Sequence, residues 1–266
     1  MALEKWMVEG EKVIDLELVR TLKVGLVAGQ VDIVGHDQPG ARVEVHSVSG
    51  KPLKISIDGD ALEIDHPQLR WDNFIDVFAS FKGSARADIS IMVPRDVALK
   101  LGVVSAKALI SGLATDARIS TVTGDVVVDG IRGDVELNAV SGEIAVSDHH
   151  GKIAVRTVNG DVAATGEIVK FTSDGVAGDV FLDLAGTPDV VRINTVSGDI
   201  TTRLAAGVPA EYRINTVSGR LQLDDSEITG IRGSYTGKYG ELDGRWLEFK
   251  ANTVSGDISV LHAVNA

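Results

Sequence analysis

A nine-residue beat, Φ-x-Gly-x-Φ-x-Φ-x-x with Φ apolar, constrains this chain more than any other feature. It is clearest in Ile131-Arg132-Gly133-Asp134-Val135-Glu136-Leu137 and Val140-Ser141-Gly142-Glu143-Ile144-Ala145-Val146. Its first slot falls at Val104, Leu113, Val122, Ile131, Val140, His149 and Val158, and the beat returns at Val176. A fixed internal period is the signature of a stacked repeat. Within each unit, strand alternation puts Φ, Gly, Φ and Φ on one face and Ser, Asp, Glu, Arg and Lys toward water. Two corner residues reset the parity for the next strand.

Neighbouring units differ in character. Those at Val122, Val140 and Val158 follow Thr or Ala and resemble Thr-Val-Ser-Gly-Asp; those at Leu113, Ile131 and His149 do not. The repeat is therefore 18 residues, two strands per coil. The expected fold is all-β: a parallel β-solenoid over 101–266, each coil burying its face against its neighbours. An antiparallel β meander or sandwich is the competing architecture. After Val176 the coils lengthen at Gly186-Thr187-Pro188-Asp189 and Gly207-Val208-Pro209-Ala210, where corners tolerate insertion.

Residues 1–100 read as an N-terminal antiparallel β region. Short alternating runs such as Leu53 to Ile57 and Ala61 to Ile64 flank Asp58-Gly59-Asp60, a hairpin signal because Gly accepts the positive φ such turns need. A helical or loop insertion interrupts the pattern at 70–84. There Trp71, Phe74, Ile75, Phe78 and Phe81 follow the spacing of one helix face. The segment reads as a cap on the solenoid or as a contact for a protein partner or a second copy. Asp72 and Asp76 weigh against a membrane surface.

The formal net charge of −12 opposes nucleic acid and anionic lipid. Absent cysteines exclude disulfides and thiolate chemistry. Residues 1–10 carry no apolar h-region, and no stretch reaches the roughly 18 apolar residues of a membrane span, so the cytoplasm is the expected location. Nucleophile-elbow, zinc-protease, phosphate-loop and dinucleotide motifs are all missing, so no catalytic, cofactor-binding or metal residue is assigned and no small-molecule substrate is identified.

Three repeated features invite chemistry. The pairs Gly124-Asp125, Gly133-Asp134, Gly160-Asp161, Gly178-Asp179, Gly198-Asp199 and Gly256-Asp257 lack the second Gly of nine-residue calcium solenoids, and their Asp is read as a solvating surface charge. Asn138, Asn194, Asn215 and Asn252 each precede a first slot by two residues, as rungs of an amide ladder or as separate corner residues. His149 fills a slot that is apolar in its neighbours, without partners at metal spacing. A carbohydrate-binding or carbohydrate-active β-helix is the runner-up function, and end-to-end stacking at an open last coil near Ile258-Ser259-Val260 is a third.

The repeat resembles a known family. Thr-Val-Ser-Gly-Asp-Ile at 195–200 and 253–258, Thr-Val-Ser-Gly-Arg-Leu at 216–221 and Thr-Val-Thr-Gly-Asp-Val at 121–126 are similar to a bacterial β-strand-repeat family. Its members are labelled candidate adhesins of unknown function and are related to toast-rack domains of envelope-stress systems. The resemblance extends to Leu101–Ala106 and to Gly29–Gly35. It implies a non-enzymatic β-rich scaffold or interaction protein, possessing no catalytic residues to carry over. The adhesin label implies an extracellular protein, which the missing export signal does not match.

Overall fold

A computed structural model describes residues 3–66, 85–228 and 233–264. Contacts divide the chain into two compact units, residues 1–135 and 136–266. The described residues form strands and turns, and parallel pairing dominates the repeat.

In the first unit the strand Thr21–His36 takes different neighbours along its two halves. Thr21–Gly25 pairs in parallel with Ala61–Asp65, and Ala28–His36 with Arg86–Pro94. Its other edge pairs in parallel with Ala98–Ser111. In the second half Gly29, opposite Ala87, has φ +116° and a Cβ there would run into the Ala87 carbonyl. Only a residue without a Cβ fits that approach.

Antiparallel strands flank both halves. Ala61–Asp65 forms the expected hairpin with Leu53–Asp58 around Gly59 (φ +64°), and Glu4–Val8 pairs outside it. Arg86–Pro94 pairs with Ala41–Ser49, and that strand with Lys12–Leu16. Alternation along these strands turns Leu22, Val24, Ile33, Ile55, Ile64, Ile89 and Ile91 into the core. The parallel stack thus reaches back to Thr21, well before the nine-residue beat becomes visible.

The 18-residue coil is explicit in the register. Leu99 pairs with Ala117 and Ala108 with Val126; in the second unit Ile144 pairs with Val162 and Val162 with Val180. These parallel ladders exclude the meander. After that the spacing lengthens, with Lys170 opposite Val190 and Val180 opposite Ile200, matching the extra corner residues.

The end of the second unit departs from sequence order. The C-terminal coil, Leu247–Ser255 and Ile258–His262, lies between the coil at Val190–Leu204 and the coil at Ala210–Leu223. Val191 pairs with Phe249 and Tyr212 also pairs with Phe249; Ile258 sits between Ile200 and Leu221. Ile258-Ser259-Val260 is therefore an interior rung, and the expected open last coil there is corrected. The outer positions belong to the antiparallel strands Gly233–Tyr239 and Ser226–Ile228, which pair with Ala210–Thr216 and Leu221–Leu223. Burying Leu247, Phe249 and Ala251 between two parallel neighbours stabilises this threading.

Candidate interaction surface

The Thr-Val-Ser-Gly-Asp corner of the second unit positions four parallel rails of side chains, all set by one register. Ala177, Ser197, Ser255 and Ser218 occupy successive rungs, with Asn159 beside Ala177. Everything else at the corner inherits that spacing of about 4.8 Å.

The glycine rail marks the closest approach. A Cβ on Gly160, Gly178, Gly198, Gly256 or Gly219 would strike the backbone carbonyl of Gly142, Gly160, Gly178, Gly198 or Gly256 respectively. Glycine is required here because coil touches coil through backbone alone. Beside this rail, the Thr195, Thr253 and Thr216 hydroxyls donate to the carbonyls of Ser197, Ser255 and Ser218 at 3.0, 3.2 and 3.3 Å, tightening each turn.

The aspartates do more than solvate the surface. The backbone N–H of Asp179 donates to Asp161 Oδ1 at 2.9 Å, that of Asp199 to Asp179 and that of Asp257 to Asp199, both at 2.8 Å. The next rung carries arginine: Arg220 N–H donates to Asp257 Oδ1 at 2.9 Å, and its guanidinium grips Oδ2 through Nη2 at 2.6 Å and Nε at 2.9 Å. These bonds hold the Asp257 carboxyl below its usual range, the Arg220 backbone N–H contributing most. In the first unit Asp134 N–H donates to Asp116 in the same way.

The asparagines form the amide ladder. Asn215 Nδ2 donates to Asn252 Oδ1, Asn252 Nδ2 to Asn194 Oδ1, and Asn194 Nδ2 to Asp174 Oδ1, each at 2.7 Å. Asn138 stands apart from this run, with the Arg156 guanidinium 3.5 Å away.

The valines overturn one expectation. The first apolar slot was expected to face inward in every unit, and it does at Leu113, Ile131 and His149. At the other corner of the second unit it faces out. Val158, Val176, Val196 and Val254 are 48–50 % exposed, Val217 63 % and Val140 36 %. Within the second unit the two corners therefore differ: His149 is turned in and the valines are turned out. In the first unit the same slot behaves differently, with Val27, Val104 and Val122 buried in one cluster with Ala85.

His149 is fully buried in the slot that Leu113 and Ile131 fill, beside a one-residue slip of register and the positive φ of Asp148. Among the described residues no group of three or more His, Asp or Glu is arranged to hold a metal. The sequence-derived contact residues Trp71, Phe74, Ile75, Phe78 and Phe81 lie outside the described residues. A polar groove of about 310 Å³ is lined by Asp199, Thr201, Arg220, Gln222, Glu227, Asp257 and Ser259. Its Asp199 and Asp257 carboxylates are engaged by backbone N–H groups and Arg220, and no aromatic ring lines it.

The family model of Toastrack DUF4097 matches residues 19–261, and the chain belongs to that family. No curated protein matches it in sequence. Solved structures align along almost its whole length. One, from Clostridium sporogenes, is named as a candidate cell adhesion protein; it is 14 % identical over 98 % of this chain and 100 % of its own, with a TM-score of 0.30. A candidate lipid binding protein from Parabacteroides distasonis is 11 % identical over 96 % and 97 %, at 0.45. A candidate adhesin from Bacteroides fragilis is 14 % identical over 95 % and 98 %, at 0.37.

Proposed function

We propose that this Toastrack chain is a non-catalytic interaction protein whose binding surface is the outward valine corner of residues 136–266, and that it serves in an envelope-stress response. The observation that carries the reading is the valine rail itself. Six half-exposed valines stand in register on a rigid ladder, and each valine and its two chain neighbours are uncharged. In a chain of 24 % charged residues, such a strip bounded by an amide rail and an aspartate rail has the apolar centre and polar rim of a contact surface. The envelope-stress connection rests on the family resemblance.

Carbohydrate binding has weaker support, because Asp199 and Asp257 of the polar groove are committed to holding coils together and no aromatic ring lines it. The test is a photo-crosslinking residue at Ser197, beside Val196, with Ser234 on the outer strand as control. Adducts are expected from position 197 in cells, and they should vanish when Val196→Lys and Val254→Lys are combined. An absence of any adduct at 197, or equal adducts in the doubly substituted chain, overturns the reading.

A further inference from the structure

We infer that the occupant of the valine rail is a second copy of this chain, joined through the same rail about a twofold axis. The inference rests on the interaction reading above and names its partner. Three observations on the rail converge on it.

The first is self-complementarity. A twofold contact needs a patch that matches itself. The rail presents one residue type at one spacing: Val140, Val158, Val176, Val196, Val254 and Val217 in stacking order. Hydrogen bonds tie successive rungs, Ala177 N–H to the Val158 carbonyl at 2.9 Å, Ser197 N–H to Val176 and Ser255 N–H to Val196, both at 2.9 Å. Six rungs at about 4.8 Å span about 24 Å, and any two such rails mesh along their length. A partner of different sequence would need the same period to do so.

The second is charge. Two copies of formal charge −12 repel, so a contact that brings no like charges together is favoured. The rail and its chain neighbours offer such a contact. With the axis along the rail, the Asn194, Asn252 and Asn215 edge of one copy faces the Ser and Asp edge of the other. Carboxylate then meets amide instead of carboxylate.

The third is what the same slot does elsewhere in the chain. In the first unit Val27, Val104 and Val122 lie in one buried apolar cluster with Ala85 and reach 7 % exposure or less. Valines at this corner pack against apolar chain where it is supplied. The strip is narrow, three residues or about 10 Å wide, which is below the standard size of a permanent interface. The dimer is accordingly weak and forms only at high concentration.

Sedimentation equilibrium of the purified chain, from about 1 μM to 1 mM, tests this. The apparent mass should climb from 28.1 kDa toward twice that value. Combining Val196→Lys and Val254→Lys should hold it at the protomer mass at every concentration, with an unchanged circular dichroism spectrum and melting temperature. Phe181→Lys, which removes an exposed apolar residue from a strand face away from the corner, should leave the association intact. A wild-type chain that stays at 28.1 kDa, or a doubly substituted chain that still associates, overturns the inference. If the pure chain is monomeric while Ser197 crosslinks to a different protein in cells, the second copy is refuted and the interaction reading stands. Loss of both signals refutes both.

Discussion

Arg220 and Asp257 lie 37 residues apart and meet through three hydrogen bonds, one from the arginine backbone and two from its guanidinium. Every earlier rung of this rail has a carboxylate that receives the N–H of the rung above it. Arg220 stands at the last parallel rung among the described residues, and its cation closes the series. The pair therefore records the threading of the C-terminal coil beneath residues 210–223.

Removing the carboxylate should cost more than removing the guanidinium. Asp257→Ala frees the Arg220 N–H as well as its side chain, and a drop in melting temperature of about 2–4 °C is expected. Arg220→Ala keeps the backbone bond and should change the melting temperature less. The Asp257 carboxyl titrates below its usual range in the fold, so its contribution is present above the unfolded value near 3.8 and is lost as pH falls through the lower folded value. The difference in melting temperature between the native chain and Asp257→Ala should be smaller at pH 3 than at pH 7.

Gly198→Ala should destabilise by more than about 2 kcal/mol, because the new Cβ meets the Gly178 carbonyl and φ is +122°. Gly10→Ala, with no atom within 4 Å of its Cβ, should stay within about 0.5 kcal/mol. Urea unfolding of the two variants checks the contrast.

His66 should make the chain acid-sensitive. The imidazole is buried, its Nδ1 accepts the Val27 N–H at 3.3 Å, and burial lowers its pKa to about 4, with Lys51 adding to the effect. The unfolded chain takes up a proton near pH 6.5 and the folded one only near pH 4. Stability is held above pH 6.5 and declines as pH falls between those values, by on the order of 2 kcal/mol. Chemical denaturation from pH 7.5 to 4.5 should show this slope, and His66→Leu should flatten it.

Tyr212→Phe should be neutral or stabilising by about 1 kcal/mol. The ring packs edge-on against Phe249 with centroids 6.1 Å apart, and the buried hydroxyl has no hydrogen-bond partner among the described residues. Burial also raises the pKa of that hydroxyl, with the Asp224 charge adding to it. A rise or no change in the urea midpoint is the expected result, and a loss of more than about 1 kcal/mol would contradict it.

Much of the architecture is legible along the chain because a stacked coil depends mainly on its nearest neighbours. The period of Val104 to Val158 carries the coil length, and Asp58-Gly59-Asp60 carries a hairpin. Asn194, Asn215 and Asn252 carry the spacing of the ladder they build. Arg220, where the other Thr-Val-Ser-Gly corners at 195–199 and 253–257 have Asp, was a local sign that this corner differs. The valine rail was less legible. Alternation assigns Val140 and Leu113 the same side, but the corner between strands turns one toward water and the other into the core.

The amino-acid sequence by itself determined the coil, its 18-residue length and the glycine and asparagine positions of the corner, since these follow from period, strand alternation and the lack of a Cβ on glycine. Only the tertiary structure decided the order of the coils and which valines are covered. Thr-Val-Ser-Gly-Asp at 253–257 fits any rung equally well, so local preference cannot choose its place. Hydrogen bonds to both neighbours and the burial of Leu247, Phe249 and Ala251 between them make that choice. The first-slot valines of the first unit, Val27, Val104 and Val122, are buried in one cluster with Ala85, a set of contacts across many residues that no short-range pattern encodes.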